Sequence, residues 1–146
     1  MFGKQKTEIM RDFVDAFANN DLEKVKALCK DDFVWLTPMK KINGLNELES
    51  YFQWIADTVE GCKVTETGVG MMVKDDTALF EHTISGRMQG EDVSFLAMCI
   101  YEFEGDKIRE CRTVFDRMAI AEQASSSWLP KKLVNTIVNQ MQKGLE

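Results

Sequence analysis

From about residue 62 to residue 118 the apolar side chains recur with a period of two, and only very short polar interruptions break the pattern. Nothing else in the sequence constrains the fold as strongly. The interruptions are Lys74-Asp75-Asp76, Gln89-Gly90-Glu91 and Gly105-Asp106, all turn-forming. Residues 62 to 73, 77 to 88, 92 to 104 and 107 to 118 therefore read as four long strands. Connections this short join antiparallel neighbours, so the second half of the chain is a meander.

The first sixty residues read helix, helix, strand, helix. Ile9, Met10, Phe13, Val14 and Phe17 fall on one helical face, with Thr7 as a candidate cap. Asn20-Asp21-Leu22-Glu23 has the form of a capping box, and Leu22, Val25, Leu28 and Cys29 follow at helical spacing. Phe33 to Thr37 is a β-rich run ended by Pro38, after which Leu45, Leu48, Phe52 and Ile55 mark a third helix. Beyond Ala119 the pattern is helical again, pauses at Ser125-Ser126-Ser127, and resumes from Pro130 with Leu133, Ile137 and Met141 on one side. The sequence predicts an α+β domain over 1–146, with a cone-shaped curved antiparallel sheet wrapped over N-terminal helices (5–120) and a C-terminal helical extension (121–146). A cavity is expected where one end of the cone stays open.

The strand from 92 to 104 is apolar on both faces: Leu96, Met98 and Ile100 alternate with Phe95, Ala97, Cys99, Tyr101 and Phe103. A strand with one solvated face alternates apolar with polar residues, so both faces of this one need a cover. Helices cover one. A second copy of the chain is the expected cover for the other, giving a homodimer through the sheet, and the alternative is that the C-terminal helix folds back over it.

Composition narrows the function classes. The 146 residues hold 24 acids and 18 bases, a formal charge of −6, and the basic doublets Lys40-Lys41 and Lys131-Lys132 lie far apart. Such a chain offers little to a phosphate backbone, and no nucleic acid partner is expected. No long apolar run occurs and the N-terminal residues are charged, so neither secretion nor a membrane partner is expected. Cys29, Cys62, Cys99 and Cys111 are widely spaced, as in reduced, buried thiols of a cytoplasmic protein. With a single histidine and scattered cysteines, no metal site and no cofactor are expected. Gly68-Val69-Gly70-Met71-Met72-Val73 lacks the last glycine of a dinucleotide loop and sits in a strand.

Two residues are candidates for chemistry. Asp116 shares the parity of Val114 and Met118; if that face looks inward, a carboxylate held among apolar groups can serve as general acid or base. The alternative is a surface carboxylate paired with Arg112 or Arg117. The turn decides between them, because a two-residue loop at Gly105-Asp106 reverses the facing relative to Leu96, Met98 and Ile100, whereas a three-residue loop with a bulge keeps them together. His82 shares the apolar parity of Phe80 and Ile84, and is either a proton shuttle for a cavity acid or a satisfied core imidazole. A cysteine nucleophile would need this same histidine as its base. Trp35, Met39, Tyr51, Trp54 and Met98 are the candidate lining of the cavity.

The element order, together with the last strand Lys107 to Asp116 and its terminal carboxylate, resembles the nuclear transport factor 2-like superfamily and, within it, the SnoaL-like branch. The resemblance implies a cone-shaped α+β domain, usually dimeric through its sheet, with a deep apolar pocket. Members include polyketide cyclases, ketosteroid isomerases, limonene epoxide hydrolases, dehydratases and binding domains without catalysis, so fold leaves function open. Asp116 matches the aspartate that ends the last strand in limonene epoxide hydrolase, while His82 and Ile84 stand where that enzyme has an arginine and a second aspartate. Trp35 and Thr37 replace its water-holding tyrosine and asparagine, and the segment Thr37 to Lys40 has no acid where ketosteroid isomerase has its base. Asp116 with His82 is similar in kind to the aspartate and histidine of SnoaL-like cyclases. The implied function is a cofactor-independent acid-base enzyme (isomerase, cyclase or hydrolase) acting on a small hydrophobic ligand, and the alternative is a ligand-binding or dimeric association domain.

Overall fold

The computed structural model describes residues 2–125 and 128–145. Among these the chain forms α1 (Phe2–Ala18), α2 (Leu22–Leu28), β1 (Cys29–Leu36), β2 (Lys41–Asn43), α3 (Gly44–Thr58), β3 (Glu60–Lys74), β4 (Thr77–Met88), β5 (Glu91–Glu104), β6 (Lys107–Phe115), α4 (Arg117–Ala124) and α5 (Trp128–Gln142). The expected pause at 125–127 falls largely outside the described residues. Thr7 is an interior residue of α1, which begins five positions earlier; the apolar face shared by Met10 and Phe13, rather than a cap at Thr7, holds the helix on the sheet. α2 starts as its sequence suggests, with the Asp21 side chain accepting a hydrogen bond from the Lys24 backbone N–H at 3.1 Å.

The strands form one sheet in the order β2-β1-β6-β5-β4-β3. β3 to β6 are the antiparallel meander, whereas β1 joins β6 in parallel and makes the sheet mixed. Helices α1 and α3 cover its inner face. The core there is built from Met10 and Phe13 of α1, Leu48 and Phe52 of α3, and Phe33, Phe80, Tyr101 and Ile108 of the strands. Two polar ties fix α1 to the meander: Lys6 pairs with Asp76 at 2.5 Å in the β3–β4 turn, and Arg11 with Glu66 at 3.1 Å on β3.

The register of β5 against β6 determines what faces inward. Gly105-Asp106 is a two-residue connection, with Glu104 opposite Lys107 and Phe103 opposite Ile108. Beyond it Glu102 faces Glu110, so Arg109 is an extra residue, a β-bulge that shifts the parity of the rest of β6. Met98 consequently lies opposite Val114, and Cys99 opposite Thr113. Directly opposed residues share a face, so Leu96, Met98, Ile100, Arg112 and Val114 stand together on one side. That side is the outer one: Leu96 is 51% exposed, Met98 40% and Val114 57%, whereas Ala97, Cys99, Tyr101, Cys111 and Thr113 are buried. α5 packs against α4 and leaves these outer apolar residues exposed, so within one chain the C-terminal helix is not their cover.

Candidate functional site

Between the sheet and α1 and α3 lie two adjoining cavities. The inner one, about 50 Å³, is walled by Phe13, Trp35, His82, Cys99, Thr113 and their neighbours. The outer one, about 70 Å³, runs past Met39, Trp54, Ile55, Cys62 and Met88. Phe17, Tyr51, Ile84 and Phe115 line both and form the partition between them. A water-sized group needs roughly 10–15 Å³ by this measure, so the inner chamber has room for about three to five such groups and the outer for about five to seven.

His82 reaches the inner cavity because β4 turns Ala78, Phe80, His82 and Ile84 to the same side. It is only 4% exposed, and its ring stacks on Phe80 with centroids 4.4 Å apart. Its Nδ1 lies 3.2 Å from the Phe80 carbonyl oxygen. A carbonyl only accepts, so Nδ1 carries the proton and Nε2 of the neutral ring is an acceptor. Burial lowers the imidazole pKa below its ordinary value, and the Phe80 carbonyl opposes this by favouring the charged ring. The site therefore presents a neutral base on an otherwise largely apolar wall.

A second polar group lies on the same wall. Trp35 on β1 donates its indole N–H to Thr113 Oγ1 on β6 at 2.8 Å, and that oxygen is 3.1 Å from Cys99 Sγ on β5. Cys111 Sγ lies 3.8 Å from the same hydroxyl. Trp35 is also the hub of an aromatic cluster, meeting Phe13, Phe17 and Tyr51 edge-on at 5.8, 5.8 and 5.5 Å. Tyr51 in turn stacks on Trp54 at 5.7 Å, which carries the aromatic surface out to the rim.

The candidate residues thus divide. His82 and Trp35 line the inner cavity, Tyr51 lines both, and Met39 and Trp54 line the outer one. Met98 is on the outer face of the sheet and lines neither cavity, because the larger aromatic side chains of β5, Tyr101 and Phe103, take the covered face. Asp116 is also outside both linings. The strand ends at Phe115, one residue before it, and Asp116 is the exposed N-cap of α4. Its Oδ1 accepts the backbone N–H groups of Met118 at 2.8 Å and Ala119 at 3.2 Å. The inward parity expected for a strand residue does not apply to it, and the structure does not bring it to His82. Arg112, the ion-pair partner considered for Asp116, instead pairs with Glu102 at 2.8 Å and with Glu110.

Sequence reasoning missed Cys99, Thr113 and Phe115 as lining residues. Their signal was present, since each shares a parity with the aromatic and cysteine residues of its strand, but between Phe95 and Tyr101 both parities of β5 are apolar. Among the described residues no three His, Cys, Asp or Glu side chains are arranged to hold a metal ion, and no helix is long and apolar enough to cross a membrane.

Solved structures similar to this one share its fold at low sequence identity. A protein from Jannaschia sp. CCS1, assigned as a SnoaL-like polyketide cyclase, superposes with a TM-score of 0.77 over 86% of this chain and 94% of its own, at 12% identity. An LEH-like epoxide hydrolase from M. tuberculosis gives a TM-score of 0.72 over 94% and 98%, at 19% identity. A protein with a ketosteroid isomerase-like fold from Catenulispora acidiphila, crystallised with trimethylamine, gives 0.73 over 80% and 92%, at 14% identity. Among curated proteins none matches the sequence. The family model of the SnoaL-like domain matches residues 10–111, a span that runs from the middle of α1 through the bulge of β6 and takes in most of the cavity wall, and the chain belongs to the SnoaL-like domain family.

Proposed function

We propose that the protein binds a compact, mostly apolar molecule in the paired cavities, and that His82 Nε2 acts on it as a hydrogen-bond acceptor and general base without a cofactor. The observation that carries this is the protonated Nδ1 of His82, held by the Phe80 carbonyl, which commits the other ring nitrogen to accepting. A ligand suited to this wall presents an O–H, an enol or an acidic C–H next to a carbonyl, and its carbon skeleton fits against Trp35 and Tyr51. Isomerisation, cyclisation and hydrolysis each include a proton transfer of this kind. The similarity to proteins named as a polyketide cyclase and an epoxide hydrolase supports the reaction class at that coarse level. Asp116 enters as the cap that turns the chain after β6, and the proton chemistry rests on His82 alone.

The functional unit in this proposal is a homodimer formed through the outer face of the sheet in the cytoplasm. Support comes from Leu96, Met98, Ile100 and Val114, adjacent on β5 and β6 and open to solvent in the single chain. Native mass spectrometry of freshly purified protein tests both parts. The expected result is the mass of two subunits with a small molecule retained, and loss of that molecule in His82→Gln while the dimer persists. Equal retention in the wild type and His82→Gln would remove His82 from the ligand site.

A further inference from the structure

We propose that Cys99 is a nucleophilic site on the inner cavity for a compact α,β-unsaturated carbonyl compound. The proposal rests on the cavity being a ligand site and names the class of ligand it would take. Cys99 and His82 line the same chamber from adjacent strands, with Cys99 opposite Phe80 and His82 opposite Ala97. The surroundings of Cys99 Sγ set it apart from the other buried cysteines. Thr113 Oγ1 lies 3.1 Å from it and already accepts the Trp35 indole N–H, which leaves the threonine hydroxyl proton free to point at sulfur.

Tyr101 follows Cys99 on the same face of β5, and Cys111 stands opposite Tyr101 on β6 with its Sγ 3.8 Å from the same Thr113 hydroxyl. Burial pushes both of them well above their ordinary pKa values, so they stay protonated. Hydrogen bonding from Cys111, then from Thr113 and Tyr101, holds the Cys99 thiol below its ordinary value in spite of its burial. Burial pushes Cys29 the other way, up to about 12, and neither Cys29 nor Cys111 lines the cavities. One sulfur in the core is thus prepared to carry charge where a ligand can meet it.

The step balances without an added oxidant or reductant. Cys99 gives its thiol proton to His82 Nε2, and the sulfur lone pair forms a bond to the β-carbon. The C=C π pair moves to the carbonyl as an enolate, and the imidazolium returns the proton to the α-carbon. The product is a saturated thioether, and reversal releases the enone.

The test exposes the folded chain to a limiting amount of but-3-en-2-one and maps the modified cysteine by peptide mass spectrometry over time. Butan-2-one, which has no double bond, is examined in parallel by saturation-transfer NMR. Cys99 is expected to be alkylated about tenfold faster than the more exposed Cys62, the order a thiolate-stabilising site imposes over simple access. Cys99→Ser and Cys99→Ala should both lose that modification and keep the wild-type far-UV spectrum, and His82→Gln should slow it by about a hundredfold. Modification of Cys62 with Cys99 untouched overturns the proposal, as does an unchanged rate in His82→Gln. Saturation transfer to butan-2-one without Cys99 alkylation overturns the nucleophile and leaves the cavity as a ligand site. Absence of both effects overturns the ligand site as well.

Discussion

His82 sits among carbon atoms with one carbonyl for a partner, and this environment gives its titration a definite sign. Burial lowers the pKa of the folded-state imidazole, so as pH falls the unfolded chain takes up the proton before the native protein does. The contribution of neutral His82 to stability is therefore complete above about pH 6.5 and declines below it, as pH approaches the lowered native value. Urea midpoints of the wild type should fall between about pH 7.5 and pH 5.5, and those of His82→Gln should fall less. An equal slope in both would mean that other groups account for the acid sensitivity. That this residue belongs to the apolar face of its strand was legible from Phe80 and Ile84 beside it. Which ring nitrogen holds the proton was not, because it depends on where the Phe80 carbonyl lies once β4 is pleated.

Among the elements, the end of β6 is where strand periodicity fails as a guide. Val114, Asp116 and Met118 keep an alternating pattern in the sequence, yet the chain leaves the sheet at Phe115 and begins α4 at Arg117. Asp116 closes the first turn of that helix by satisfying two N–H groups that would otherwise lack partners. Asp116→Ala should cost about 1 kcal/mol in urea unfolding and Asp116→Asn much less, since asparagine caps nearly as well. Ligand retention should be the same in both variants, and loss of retention in Asp116→Asn with stability unchanged would restore a functional role for the carboxylate. The cap was missed because the strand pattern was read on to residue 118 and the helical one only from Ala119, whereas α4 begins at Arg117. The long strands were legible throughout, their turns falling within about two residues of the observed ones, an ordinary margin for such boundaries. A further local feature escaped the pattern: Gly68, at φ +60° inside β3, leaves room for the Glu81 carboxylate, which accepts the Val69 N–H at 2.9 Å. A β-carbon at Gly68 would fall 2.1 Å from that carboxylate, so glycine there serves both the bulge and the close approach.

At the scale of the whole molecule, the apolar surface left uncovered in the single chain is the outer sheet face. Leu96, Met98, Ile100 and Val114 form an apolar patch next to the ion-paired Arg112, Glu102 and Glu110, the apolar centre and charged border expected of a self-complementary interface. Met98→Lys combined with Val114→Lys should convert a dimer to monomer in sedimentation velocity with an unchanged far-UV spectrum, because both side chains are already solvent-facing in the single chain. Persistence of the dimer would move the interface elsewhere, and a monomeric wild type would remove it. The amino-acid order was enough to determine the helices and the meander, since these follow from local spacing and turn chemistry. Which side of β5 faces the helices was left open, because Phe95 to Tyr101 is apolar on both parities; the polar Asp92, Ser94, Glu102 and Glu104, all on the parity of Leu96, Met98 and Ile100, are the signal for the outer side. The tertiary structure decided that through the extra residue at Arg109 and the packing of Tyr101 and Phe103 under α1, and in doing so turned Cys99, Thr113 and Phe115 toward the cavity and Met98 and Val114 away from it.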